Sequence, residues 1–343
     1  MVNFSLSLKR KIQTALTLIV MGWAMPAFSA PTHILINVKG NVQIKKSKWK
    51  DFNKIEPGIT LNSQDKIKVI DNASATIYCS DKTKWIIDKP GIHSISDGCS
   101  EGSKISLLDQ GNNQSTRGAK APAFEESLEK LPYLVSPRKT YVLNAPLTIR
   151  WNEVPGATNY KVKVEDWERE TKEGQISYDG ELEPGGYYRI TIVANNGATS
   201  QDEYGSEEKN NNWFMVLEDE EAEALQEELR QKLEALKEAD KTQEEKDWSL
   251  AMFYLDKELD FDVIQILEGL VKSGSQKLEV YYLLGDIYQK LGLNLMAKDI
   301  FQQGLALSVQ QGNSEYKGSI QQRLEWLEPS LGIINKAGEL LRR

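Results

Sequence analysis

The stretch YYLLGDIYQKLGLNLMAKDIFQQG, residues 281–304, decides the fold of the C-terminal part of the chain. A shift of 34 residues superposes its apolar and small positions on six earlier ones. The pairs are Leu250 with Leu284, Ala251 with Gly285, Tyr254 with Tyr288, Val263 with Ala297, Leu267 with Phe301 and Leu270 with Gly304. A fixed period of this length predicts a stacked helical repeat, in which each unit covers the apolar face of its neighbour.

The second unit resembles a tetratricopeptide repeat (TPR), a family with the same period. The resemblance lies in Tyr281, Leu284, Gly285, Tyr288, Gly292, Ala297 and Phe301. Small residues at Gly285 and Ala297 let the two helices approach, and the larger rings fill the remaining space. The first unit departs from the pattern at Val263, and the region from Tyr316 predicts a capping helix. We expect TPR-like helical repeats with a capping helix, an all-α solenoid, over residues 248–343.

The TPR resemblance implies a groove lined by the first helix of each pair. Its expected residues are Trp248, Met252, Leu255 and Asp256 from the first unit, Tyr282, Asp286, Gln289 and Lys290 from the second, and Tyr316. Aromatic and Met side chains carry binding energy at interfaces, which predicts a protein or peptide partner. In the alternative, the acidic helix before the repeats folds back over the groove. The groove hypothesis expects Trp248→Ala with Tyr282→Ala to abolish partner capture while the melting midpoint stays nearly unchanged.

Residues 218–247 predict one acidic helix. Leu225, Leu229, Leu233 and Leu236 recur at helical spacing among 13 Asp and Glu residues, which indicates a narrow apolar stripe on a solvated helix. Charge is distributed unevenly, with 14 Lys and Arg against 9 Asp and Glu in residues 31–120, and 15 against 25 in residues 218–343. The acidic C-terminal part argues against nucleic acid as the partner, because a polyanion rewards a continuous basic surface.

The first 30 residues have the pattern of a signal peptide. Lys9, Arg10 and Lys11 precede an apolar run over residues 12–25, and small residues follow at Ala27 and Ser29. A membrane anchor is the competing interpretation, but the run is shorter than the roughly 20 residues that span a bilayer. We expect cleavage near Ala30, a periplasmic or secreted protein, and no integral membrane segment afterwards.

Residues 31–108 alternate apolar and polar positions in short runs separated by turn residues, which predicts an antiparallel all-β domain. The domain resembles the FecR-type domain of bacterial envelope proteins. The resemblance lies in Gly40, Val42, Trp49, Pro57-Gly58, Leu61, Asp65, Ile67, Asp71, Ala73-Ser74-Ala75, Ile77, Asp81, Trp85 and Pro90-Gly91, with Gln64 and Lys82 where the family usually has glycine. It implies the fold and the compartment more directly than it implies a role in iron uptake.

Cys79 and Cys99 are the only cysteines, and both fall within this domain. In an exported chain they are expected to form a disulfide. Closing a loop of this length stabilises the folded state by about 3 kcal/mol in the chain-entropy model.

Residues 109–132 are rich in Gly, Asn, Ser and Ala and predict a linker, so we expect the domains to move independently. Residues 133–217 predict a β-sandwich, with strands around Trp151, Tyr160 and Tyr188 and intervening Pro-Gly turns. This pattern resembles a fibronectin type III (Fn3) or Ig-like domain. Trp151 is expected to fill the core between the sheets.

No catalytic, cofactor or metal motif is recognisable in the sequence. His33 and His93 have no partner at metal-ligand spacing once the cysteines are paired, and both are expected at the surface. One cluster could bind a polymer: Lys45, Lys46, Lys48, Trp49, Lys50 and Lys54. In the alternative, these lysines only protect an exposed strand edge while the indole packs inward.

These features favour a non-enzymatic envelope scaffold or adaptor that binds an envelope protein or peptide through the TPR-like groove. The second hypothesis is a module that binds cell-wall polysaccharide or other carbohydrate through the FecR-like domain. A signalling regulator of the FecR type fits less well, because the mature chain lacks an apolar segment long enough to pass a signal through a membrane.

Overall fold

The computed structural model describes residues 32–99, 128–143, 146–203 and 211–327. Within these described ranges, three sheets occupy the N-terminal part and six α-helices the C-terminal part, which confirms the order of β and α regions. We call residues 32–99 the N-terminal β unit, residues 133–217 the middle β unit and residues 219–327 the helical unit. The predicted signal peptide and most of the predicted linker lie outside the described residues. Within those residues, no helix has the length and apolar character needed to cross a membrane.

The N-terminal β unit is built on two long strands. Its strands are β1 (His33–Lys45), β2 (Asn53–Lys54), β3 (Thr60–Leu61), β4 (Lys66–Tyr78), β5 (Lys84–Ile87) and β6 (Gly91–Ser94). The sheet runs β2-β1-β4-β5, with β3 beside β1 and β6 beside β4, and every pairing is antiparallel. Successive side chains of β1 and β4 point to opposite faces of the sheet, so residues such as Ile44 and Ile67 are buried in the core while Lys66 is exposed.

A disulfide closes this unit, as predicted. The Cys79 and Cys99 sulfur atoms lie 1.87 Å apart and the Cα atoms 5.3 Å apart. The bond ties the end of β4 to the residues that follow a short 3₁₀ helix, Ile95–Asp97. Both cysteines are fully buried in the core.

The middle β unit consists of two sheets around one core. Its strands are β7 (Leu134–Ser136), β8 (Thr140–Val142), β9 (Leu147–Trp151), β10 (Tyr160–Val164), β11 (Trp167–Thr171), β12 (Gln175–Tyr178), β13 (Tyr187–Ala194) and β14 (Trp213–Val216). One sheet runs β11-β10-β13-β14-β8 and the other β12-β9-β7. Trp151 is 4 % exposed and packs against Tyr160 in this core, so its predicted core position is confirmed.

The helical unit contains α1 (Asp219–Glu238), α2 (Gln243–Asp256), α3 (Asp260–Lys272), α4 (Leu278–Lys290), α5 (Asn294–Gln310) and α6 (Ser314–Leu327). The predicted acidic helix ends nine residues early, because Thr242 and Glu245 form a capping box that begins α2. Of the predicted apolar stripe, Leu225 and Leu236 are buried together with Ala222, whereas Leu229 is half-buried and Leu233 is 46 % exposed, so the stripe is only partly buried.

Both β units pack against the helical unit, so the expectation of independently moving domains is wrong for the described residues. Phe261 of α3 joins the core of the middle β unit, and Arg150 pairs with Glu268 at 2.8 Å. Ile34 and Ile36 of β1 belong to the apolar core of the helices. The linker composition gave no information about these contacts, because they form between surfaces distant in sequence.

Close packing within the helical unit makes Gly285 sensitive to substitution. A Cβ atom there would lie 2.5 Å from Cε1 of Phe301, a fully buried ring that has little room to move. We expect Gly285→Ala to lower the free energy of unfolding by about 1–3 kcal/mol in chemical denaturation. Gly269→Ala is the control, because no atom lies within 4 Å of its Cβ position, and better helix propensity should raise stability by up to ~1 kcal/mol. Equal changes in the two variants would contradict the packing argument.

Candidate functional site

The structure brings the predicted groove residues onto one side of the helical unit. They come from α2, α4 and α6, the alternate helices of the stack. The rings of Tyr282 and Tyr316 lie 6.1 Å apart, which places α4 and α6 side by side on this face. The predicted row of residues therefore exists as a surface of the helices.

This surface is not open. Trp248, Met252, Leu255, Tyr282, Asp286 and Tyr316 are all less than a tenth exposed, while Asp256, Gln289 and Lys290 are half-buried. The N-terminal β unit covers them: Ile34, Ile36 and Tyr78 share one apolar cluster with the groove residues. The prediction of an open groove needs correction, because the chain's own β unit fills it.

Polar contacts fix the N-terminal β unit at the rim of the groove. The indole N–H of Trp248 donates to the carbonyl of Gly58 at 3.3 Å. At another point, the Asn37 amide donates to the carboxylate of Asp256 at 2.7 Å. Lys82 donates to the side-chain oxygen of Gln289 at 2.9 Å. These contacts assign three of the predicted groove residues to binding within the chain.

Three further contacts extend this interface. Lys84 donates to the Asp256 carbonyl at 3.1 Å and pairs with Glu258 at 2.7 Å. The hydroxyls of Thr32 and Ser319 lie 3.1 Å apart and join the two ends of the described chain. The surface contacted by the N-terminal β unit therefore runs from α2 to α6.

A buried charged pair lies at the centre of the interface. Arg323 of α6 lies 2.9 Å from the Asp286 carboxylate, and both side chains are at most 2 % exposed. The guanidinium also donates to the Ser80 carbonyl at 2.5 Å and to the Tyr282 hydroxyl at 2.9 Å. Arg323 thus connects α4 and α6 to the N-terminal β unit with one side chain.

Burial changes the acidity of groups around this pair. Burial raises the pKa of Asp286, and the neighbouring Arg323 opposes that rise. Burial also raises the pKa of Tyr282 to about 12 and lowers the pKa of Lys82 to about 8. Both shifts favour the uncharged form, as expected when a group loses water on docking.

The alternative in which the acidic helix covers the groove is also corrected. α1 contacts this region at its margin, where Glu228 pairs with Lys257 at 2.6 Å. The apolar residues of the groove are covered by β1 and β4 instead. The sequence offered little sign of this, since Arg323 and Lys82 are charged residues of types that usually lie at surfaces.

The lysine cluster lies on the N-terminal β unit, around the turn between β1 and β2. Lys48 and Lys50 are exposed, and Lys45, Lys46 and Trp49 are half-buried. Lys54 is exposed on β2. The structure therefore keeps the predicted lysines together.

One group of residues has the composition of a metal site. Ligand atoms of His33, Cys79 and Cys99 lie within 4.8 Å of one another. The sulfur atoms are bonded to each other, and Nδ1 of His33 accepts a hydrogen bond from the Ser80 amide at 3.0 Å. His33 is fully buried, so its predicted surface position is wrong, whereas His93 is half-buried. β1 begins at His33 and carries its side chain into the interior.

Comparison with known proteins adds no relative. No family model matches the chain, and no curated protein matches it.

Proposed function

We propose that the protein is a non-enzymatic scaffold of the bacterial envelope, in which TPR-like helices hold the chain's own FecR-like domain in a fixed position. The observation that carries this proposal is the burial of the groove residues beneath β1 and β4. An adaptor with a vacant groove would leave Trp248 and Tyr282 accessible to a partner. Here an external protein or peptide would have to displace the N-terminal β unit to reach them.

The finer fold assignments belong to the same proposal. For the FecR-like domain, support comes from turns at Gly40 and Gly58, where φ is 76° and 98°. Lys82, at a position where the family usually has glycine, has φ 70° and donates to Gln289 of α4. A non-glycine residue in this conformation is unfavourable, so the contact with the helices offsets a local cost. The middle β unit is proposed as an Fn3-like sandwich.

Export to the periplasm or outside the cell is the third element of the proposal. Its support is the signal-like N-terminal sequence together with the Cys79–Cys99 bond, which is compatible with an oxidising compartment. A scaffold in that compartment benefits from a fixed geometry, because partners bound to different units then keep a constant separation.

The test asks whether the helices hold the N-terminal β unit without a covalent connection. A protease site inserted between Ser115 and Thr116, outside the described residues, allows the purified mature chain to be cut into two fragments. We expect the fragments to elute together in size-exclusion chromatography, because the interface combines an apolar core with polar contacts.

An isosteric pair of variants makes this test specific. Asn37→Asp removes the donor and places two carboxylates together at the Asp256 contact, so it should weaken fragment association at least tenfold. Asn41→Asp makes the same chemical change at an exposed position of β1, and the association should be unaffected. The proposal would be contradicted if the unmodified fragments eluted separately, or if both variants weakened fragment association equally.

A further inference from the structure

Lysines from separate strands meet on the outer face of the N-terminal β unit. Lys45 of β1 lies directly opposite Lys66 of β4. In the neighbouring row, Gln43 of β1 pairs with Lys54 on one side and with Lys68 on the other. Strand spacing places Lys54 and Lys68 about 10 Å apart at the backbone. Lys66 and Lys68 extend the lysine cluster, although they lie far from it in sequence.

We call this surface the basic face: Lys45, Lys46, Lys48, Lys50, Lys54, Lys66 and Lys68. Across the described ranges of the chain, no carboxylate forms an ion pair with any of these lysines. By contrast, Lys84 of the same unit pairs with Glu258 at the groove. The basic face therefore carries concentrated positive charge that no ion pair among the described residues neutralises.

A buried carboxylate fixes the loop that carries three of the seven lysines of this face. Asp65 is fully buried and accepts hydrogen bonds from the amides of Ser47 at 2.8 Å and Asn62 at 3.0 Å. The amide of Trp49 donates to the Lys46 carbonyl at 2.8 Å and closes the turn. A polyanion thus meets lysines on a fixed backbone, which reduces the ordering cost of binding.

We propose that the basic face binds an anionic polysaccharide. Lysine ammonium groups act as point charges and suit a polymer with regularly repeated acidic groups. The N-terminal β unit has no arginine between residues 32 and 99. It therefore lacks the bidentate donor that most often reads nucleic-acid bases, which argues against a nucleic acid as the polyanion. The half-buried rings of Trp49 and Phe52 add apolar area beside the charges, and the Phe52 ring lies 5.9 Å from the Lys68 ammonium nitrogen.

The contacts that hold the N-terminal β unit against the helices leave the basic face free. Contacts with the helices come from the first part of β1, from the loop at Glu56 and Gly58, and from residues 78–84. Among the described residues, none of these contacts uses a lysine of the basic face. Lys45 lies eight positions after Asn37 along β1, or about 25 Å if the strand is extended. This ligand class builds on the proposed function, since the scaffold would present the basic face of its FecR-like domain to the polysaccharide.

The test uses the full mature chain and polygalacturonate coupled to beads. Lys45→Gln with Lys66→Gln and Lys68→Gln should reduce binding at least tenfold and make it less dependent on salt, because fewer counterions are released. The control replaces three exposed lysines of the middle β unit, Lys139, Lys163 and Lys172, by Gln. We expect the control to bind as the unmodified protein does, and both proteins to keep their melting midpoints.

Each other outcome overturns the inference. Equal losses of binding in the two triple variants would show that the net charge of the protein, and not the basic face, determines binding. Equal retention on neutral dextran would exclude a charge-based site, and equal binding to single-stranded DNA would exclude selectivity for a polysaccharide. Failure of the fragments to elute together, by contrast, removes the scaffold proposal and leaves this result unchanged, so the two proposals fail separately.

Discussion

Arg323→Leu is expected to lower the free energy of unfolding by about 3–5 kcal/mol, because it leaves a buried carboxylate without its counter-charge. The Asp286 side chain is 1 % exposed and lies 2.9 Å from the guanidinium that is removed. The Ser80 carbonyl and the Tyr282 hydroxyl lose a donor in the same change. Thermal and urea denaturation of the mature chain measure the loss.

Two controls identify the cause. Arg323→Leu combined with Asp286→Leu removes both charges and should recover a large part of the loss, which a packing defect alone would not do. Replacement of the exposed Arg169 by Leu should change stability by no more than about 0.5 kcal/mol. A double variant no more stable than Arg323→Leu would contradict the electrostatic explanation.

The same variant should respond to pH. Burial holds the pKa of Asp286 above its ordinary value, so the protonated form favours the folded state. That contribution is fully present below the unfolded pKa of about 4 and is lost as pH rises through the higher folded pKa. Loss of Arg323 raises the folded pKa further. The deficit of Arg323→Leu relative to the unmodified protein should therefore be smaller at pH 4 than at pH 8.

Arg138→Leu is expected to cost a similar amount, about 3–5 kcal/mol, at the other junction of the molecule. Arg138 is fully buried and forms a bidentate pair with Glu203 at 2.7 and 3.0 Å. Its Nε atom donates to the Leu291 carbonyl at 2.8 Å, which joins the middle β unit to the end of α4. The substitution leaves both acceptors buried.

Arg150 provides the matched control for this junction. It also connects the middle β unit to the helices, through Glu268, but its side chain is 29 % exposed. Water can replace its contacts, so Arg150→Leu should cost about 1 kcal/mol or less. Equal losses in the two variants would show that contact with the helical unit, rather than burial of the charge, determines the effect.

Much of the local structure could be predicted because it depends on neighbours in sequence. Alternation around Ile44 and Ile67 located strands, and the small residue at Gly285 located a close helix contact. Trp151 and the Cys79–Cys99 pair lie where their sequence surroundings indicated. These features follow from periodicity and residue size, which are properties of short segments.

The site could not be predicted to the same extent, because its occupant comes from another part of the chain. The spacing of Trp248 and Tyr282 identified a contact surface, but nothing in it distinguished an external partner from an internal one. Arg323 and Asp286 are charged, and such residues are usually exposed unless paired. The two residues lie 37 positions apart, and the residues that cover them come from the N-terminal β unit. Their burial could therefore not be predicted from the sequence around either residue.

The hydrogen bond between Thr32 and Ser319 spans 287 positions of the chain. During synthesis the N-terminal β unit emerges well before α6, which covers part of it through Arg323. At about 5–20 residues per second, roughly 10–50 seconds separate the synthesis of Tyr78 from that of Arg323, and until then the apolar patch around Ile34 and Tyr78 is incompletely covered. In that interval the patch is a surface on which the nascent chain can aggregate or recruit a chaperone. The synthesis of α6 thus completes the cover of this patch and ends the interval in which the patch can aggregate.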